Sequence, residues 1–196
     1  MEILHQDKDI VVCIKPVGLD SEKEMPARLI DAIGGEIFPL HRLDLNVGGV
    51  MVYARNKKAA AHFSRLIQDG AMVKEYVAQV HGTPPEEGVF EDLLFKDSRK
   101  NKVFVVKKQR AGVKAAKLSF TRAKAGEHSL VQIRLFTGRS HQIRVQFSSR
   151  GFPLVGDHKY GSRDKTTVPM LWSFRISFPY KESTAVFEKL PDWWNV

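Results

Sequence analysis

The side chains in this sequence whose setting suggests chemistry are carboxylates and arginines in two short runs. His41-Arg42-Leu43-Asp44 follows Pro39 and precedes the pair Gly48-Gly49, which puts it on a loop entering a strand. Loops held by rigid elements carry a large share of functional groups, so Asp44 is a candidate for carboxylate chemistry; it would serve equally well as a turn residue. The second run is Thr137-Gly138-Arg139-Ser140-His141-Gln142-Ile143-Arg144. It reads as a strand end, a glycine turn and a helix start, with Ser140 as cap and with His141 and Arg144 on one helix face. Arg139 and Arg144 there could grip a phosphate or hold a carboxylate ionised, although surface arginines are often merely solvated.

Other chemistries lack their residues. The seven histidines include no pair at a spacing of three to five, and one cysteine cannot build a zinc site, so no metal is expected. No GxGxxG or Walker-type loop is present, so no dinucleotide or nucleotide cofactor is expected, and no G-x-S-x-G serine occurs. Cys13 sits in the apolar run Ile10-Val11-Val12-Cys13-Ile14 and reads as a small buried hydrophobe. The start lacks the pattern of a secretory signal, and no apolar stretch approaches the roughly 20 residues of a membrane span. The expectation is a cytoplasmic protein with no membrane partner, monomeric by default and with one domain over residues 1–196.

Of the 196 residues, 31 are Lys or Arg and 22 Asp or Glu, a net charge of +9, and the surplus is concentrated. From Lys96 to Lys124 there are eleven basic residues and one acid, Asp97, so the rest of the chain is close to −1. Such a segment suits a polyanion as well as it suits a solvated face. Its apolar runs at Val103-Phe104-Val105-Val106 and Leu118-Ser119-Phe120 predict strands, with Phe104 and Phe120 facing the core.

These runs must be positioned by a scaffold, and its elements alternate in type. Two strands surround Asp7-Lys8-Asp9, a short helix covers 27–33, and a strand covers 49–54. Asn56 caps a helix with Ala59, Ala60, Phe63, Leu66 and Ile67 on one face, ending before Gly70. Strands follow at 73–81, 89–95, 103–106, 115–121 and 129–136, then a helix from His141 towards Arg150, then alternation at Met170, Trp172, Phe174, Ile176 and Phe178. The pattern predicts an α+β fold with a largely antiparallel sheet.

Taken together, the motifs resemble the RluA family of RNA pseudouridine synthases. The resemblance runs, in the family's order, through Asp9 to Leu19 with its Lys15-Pro16-Val17-Gly18 turn, His41-Arg42-Leu43-Asp44, Lys74-Glu75-Tyr76-Val77-Ala78, Thr137 to Arg144, Gly151 to Asp157, and Tyr160-Gly161. It implies a mixed, mostly antiparallel sheet flanked by helices, an active-site cleft across the sheet, and a stand-alone catalytic domain without the small N-terminal RNA-binding domain of some relatives. It implies Asp44 as catalytic aspartate, Tyr76 as pocket tyrosine and Arg144 as the arginine paired with the aspartate. Arg42 matches the arginine that fills the RNA stack once the base has left, and Leu171 matches the apolar pocket wall. His41, Lys74, Arg139 and His141 are the further RNA-facing candidates. Two departures stand out: where the family has Thr-Ser-Gly this chain has Val47-Gly48-Gly49, and where it has Leu-His-Ala this chain has Leu171-Trp172-Ser173.

The implied reaction isomerises uridine in ribosomal or transfer RNA. The target base must leave the stack, Asp44 assists cleavage of its glycosidic bond, and the ring rejoins through C5. No outside group is transferred, so no cofactor is implied. The alternatives are an RNA-binding protein or chaperone that keeps the fold while the altered loop has lost activity, and a carboxylate-dependent nucleosidase that releases free uracil.

Overall fold

A computed structural model describes residues 1–195. Among the described residues eleven strands and three α-helices make an α+β fold. Strands β1 (Ile3–Gln6) and β2 (Ile10–Lys15) form a hairpin whose turn is held by Asp7, its carboxylate accepting from the Asp9 and Ile10 amides at 2.9 Å. Helix α1 (Glu24–Ile33) follows, then β3 (Phe38–Pro39) and β4 (Gly48–Ala54). Asn56 caps α2 (Lys57–Gln68), its side-chain oxygen accepting from Ala59 N at 2.8 Å. Then come β5 (Val73–His81), β6 (Glu87–Asp97), β7 (Lys102–Val106), β8 (Val113–Lys124), β9 (His128–Leu135), α3 (Gln142–Ser148), β10 (Leu171–Tyr180) and β11 (Ser183–Glu188).

The chain divides into two compact units, Met1–Lys74 with Trp172–Pro191, and Glu75–Leu171 with the residues from Asp192. In the first, β2 pairs antiparallel with β1 and β4, β10 runs parallel to β4 with Trp172 opposite Gly48, and β11 pairs antiparallel with β10. Helix α2 turns Ala59 and Phe63 onto this sheet, where they pack with Val12, Val50, Val52, Ile176 and Phe178. The Phe63 and Phe178 rings meet edge to face, centroids 5.0 Å apart. Losing Phe63 to alanine would cost about 3–5 kcal/mol at a buried site of this kind.

In the second unit β6 pairs antiparallel with β7 and β8, and β8 with β9. A cluster of Phe90, Phe120 and Phe147, with centroids 4.8 to 5.2 Å apart, ties α3 to these strands. The basic segment from Lys96 to Lys124 forms the end of β6, β7 and β8, and all its basic side chains except Lys102 and Arg122 are on exposed residues. Phe104 departs from the sequence expectation: it is 37% exposed, with Lys102 Nζ 5.9 Å from its ring centre, because β7 alternates and Val103 takes the inward position. Phe120 is buried as expected.

Candidate active site

Asp44 stands on the loop from His41 to Val47, which is pinned on both sides of it. The buried Ser21 hydroxyl donates to Leu43 O at 3.1 Å and accepts from Leu43 N at 3.3 Å. On the other side the Lys15 ammonium donates to Leu45 O at 3.1 Å and to Pro16 O at 2.9 Å. Gly18 N also donates to Leu45 O, and Val47 N closes the turn onto Asp44 O at 2.9 Å. Leu43 and Val47 are buried, so the loop is anchored by apolar contacts as well.

Lys15 itself is fully buried at the end of β2. Burial lowers its pKa to about 8, opposed by the negative charges of Asp20, Asp44 and Glu24. Lys15 and Ser21 are positioning residues that the motifs did not reveal, although the Lys15-Pro16-Val17-Gly18 turn was a visible marker for the first.

His41 is turned inward. Its Nε2 accepts from Val52 N in β4 at 3.2 Å, so the ring is neutral, and burial with the nearby Lys74 charge lowers its pKa to about 3. This geometry makes His41 a brace between loop and strand. Arg42, next to it, is exposed and pairs with Glu22 at 2.9 Å. Such a surface pair is worth at most about 1 kcal/mol, so the guanidinium can exchange partners readily. Burial lowers the pKa of Lys74.

In the other unit Tyr76 is buried on β5 and Leu171, also buried, opens β10. Arg144 projects from α3 and is held in a fork by Asp157, Nε to Oδ2 at 2.7 Å and Nη2 to Oδ1 at 2.8 Å. Both partners are buried, and the Arg144 guanidinium lies 5.1 Å over the Tyr160 ring. The Tyr160 hydroxyl accepts from Val103 N at 2.9 Å and shares a 2.8 Å hydrogen bond with His141 Nδ1. Asp157 and Tyr160 therefore fix the plane of Arg144, a role that the sequence motifs containing them did not disclose.

The start of α3 differs from the sequence expectation. Ser140 does not cap it. His141 occupies that position in the left-handed region, φ 49°, and makes no cap bond, while Gln142 Oε1 accepts from Arg139 N at 3.1 Å and from the Thr137 hydroxyl at 2.8 Å. His141 thus precedes α3 instead of lying within it, and both it and Arg144 contact Tyr160. Arg139, exposed, donates through Nε to Ala115 O at 2.9 Å.

Residues 9–149 match the profile of the RNA pseudouridylate synthases. The chain belongs to that family. Its resemblance to the RluA type is thereby borne out. An uncharacterized RNA pseudouridine synthase of Chloroflexus aurantiacus is 39% identical over 135 residues, covering 67% of this chain and 42% of that one. Another, of Aquifex aeolicus, is 31% identical over 217 residues, covering 96% of this chain and 68% of that one. The chain thus spans under half the length of the first and about two thirds of the second. The structure of human RNA Pseudouridylate Synthase Domain Containing 4 superposes with a TM-score of 0.82 at 26% identity, covering 98% of this chain and 89% of that one. The pseudouridylate synthase fold expected from sequence is therefore the fold observed, with the mostly antiparallel, mixed pairing that the resemblance implied.

Proposed function

We propose that this chain isomerises uridine to pseudouridine in RNA, with Asp44 as its catalytic carboxylate. The observation that carries this reading is the pinning of the Asp44 loop by Ser21 and Lys15 in a member of this family. Positioned carboxylates gain their rate from such rigidity, since a misplacement of about 1 Å can cost roughly 100-fold.

In the reaction the C1′–N1 bond breaks and a C1′–C5 bond forms, while one proton leaves C5 and one arrives at N1. Atoms and electrons balance within the nucleotide, so no cofactor is required. The target must be out of the stack for either bond to be reached. Arg42 fills the vacated space: its planar group stacks on bases and donates hydrogen bonds at once, and its weak tie to Glu22 is easily given up. Asp44 attacks or assists at the glycosidic bond. Arg144, its plane fixed by Asp157, contributes a held positive charge, and Tyr76 stacks on the loosened uracil beside the apolar wall of Leu171.

The basic surface of β7 and β8, with Lys74 and Arg139, holds phosphates. On this reading the substrate is a structured ribosomal or transfer RNA stem-loop and the enzyme works as a cytoplasmic monomer; no helix among the described residues is long and apolar enough to cross a membrane. Transcriptome-wide pseudouridine mapping in cells with and without the protein tests the proposal. The expected result is loss of one or a few sites, restored by the wild-type protein and not by Asp44→Ala. An unchanged map overturns it and favours a non-catalytic RNA binder.

A further inference from the structure

Three side chains in the unit Glu75–Leu171 that the proposed reaction does not use converge at one point. His81 ends β5, His128 opens β9, and Asp164 lies between the 3-10 turn His158–Tyr160 and β10. His81 Nε2 is 2.8 Å from Asp164 Oδ2, and His128 Nε2 is 3.9 Å from Asp164 Oδ1. The two imidazoles meet edge to face with centroids 4.8 Å apart, and a donor atom from each of the three residues lies within 4.8 Å of the others.

The backbone around them is tied together. His81 N donates to Pro153 O at 2.9 Å and Gly82 N to Glu127 O at 2.7 Å. The carboxylate is oriented too, its Oδ2 accepting from Gly156 N at 2.9 Å and from the Ser162 hydroxyl.

We propose that His81, His128 and Asp164 bind a first-row divalent metal ion, zinc being the best fit, with water completing its coordination. Two imidazoles and one carboxylate are the donors such ions prefer, and three protein ligands with one open position is an established zinc arrangement. With bonds of about 2.0–2.1 Å, a tetrahedral ion places neighbouring ligand atoms roughly 3.3 Å apart. The observed 2.8 Å to Oδ2 and 3.9 Å to Oδ1 lie within about 0.6 Å of that value, and one donor atom from each residue lies within 4.8 Å of the others, so side-chain rotations complete the site on one carboxylate oxygen. The side chains are 18 to 34% exposed, which leaves an entry path. The ion acts as a clip between two strand ends and the segment leading to Leu171, outside the isomerisation chemistry. No local spacing announces this cluster, because each ligand comes from a different element, so the expectation of no metal from histidine spacing did not reach it.

The test uses the full chain, stripped with a chelator and dialysed against Zn²⁺ alone. Bound zinc is measured by elemental analysis for wild type, His128→Ala and the exposed His62→Ala on α2. The expected result is one ion per chain for wild type and His62→Ala and binding weaker by at least about tenfold in His128→Ala. Cobalt substitution adds a readout independent of variant folding, since a low-symmetry four-coordinate site gives intense visible absorption in the wild type. Binding of less than about half an ion per chain, or binding unaffected by His128→Ala, overturns the assignment.

Discussion

The ring of Trp172 occupies the space that a side chain at position 48 would need. A Cβ built on Gly48 would lie 2.9 Å from Trp172 Cε3 and 3.0 Å from Lys15 O. The two residues are register partners in the parallel β4–β10 pairing, and the Trp172 indole donates to Lys189 O at 2.8 Å. The next glycine, Gly49, is equally constrained, with φ +127° and a Cβ position 2.6 Å from Ser173 N. The segments Val47-Gly48-Gly49 and Leu171-Trp172-Ser173 are therefore packed as one unit: the Trp172 ring fits because position 48 has no side chain.

This pairing has a measurable coupling. Gly48→Ser alone forces the ring aside and should destabilise the protein by about 1–3 kcal/mol. Combined with Trp172→His it should recover part of that loss, with an interaction energy of about 0.5–3 kcal/mol in a double-mutant cycle read by urea denaturation. Additive losses would contradict this joint packing.

His41 makes stability depend on acid. In the unfolded chain it takes up a proton near pH 6.5, whereas in the folded protein it resists protonation down to about 3. Between those values the unfolded state binds the extra proton, so stability falls as pH drops, by up to about 1.4 kcal/mol per unit. Wild type should lose about 1 kcal/mol more than His41→Gln between about pH 6.5 and pH 5.5. Parallel losses in the two proteins would show that the His41 ring charges freely in the native state.

Asp157 should matter for folding as much as for chemistry. Replacing it with Asn removes the buried charge facing Arg144 and one side of a two-pronged bond. The cost should be about 3–5 kcal/mol in a denaturation midpoint, as for other broken buried pairs. A loss below about 1 kcal/mol would mean that the Arg144 guanidinium is well satisfied without it.

The basic surface of the second unit is open to a salt titration. Lys107→Ala with Lys108→Ala should weaken RNA binding and flatten the slope of log affinity against log salt by about 0.7 to 0.9 for each phosphate that is no longer neutralised. An unchanged slope would place these lysines away from RNA.

Much of the scaffold was legible because its strands alternate cleanly and Asn56 is a strong cap, and the loop bearing Asp44 was legible because Pro39 and Gly48-Gly49 bracket it. What escaped depended on partners far along the chain. Strand β11 carries an exposed, mixed pattern and exists by pairing with β10. Ser140 had the right residue type for a cap, yet the Gln142 side chain took over the turn and left His141 left-handed. The Asp157 fork on Arg144, the Lys15 bond to Leu45 O and the His41 bond to Val52 N join separate elements. Local periodicity carries no trace of such bonds.

The central claim is that Asp44 carries the isomerisation of uridine, and release of tritium from RNA containing 5-tritiated uridine tests it most directly. The RNA is taken from cells lacking the protein, and wild type is compared with Asp44→Asn, which keeps the size of the side chain and the loop anchors. Wild type should release tritium and form pseudouridine without free uracil, while Asp44→Asn should bind the same RNA and release none above background. Equal release by both proteins, or release by neither, would contradict the account.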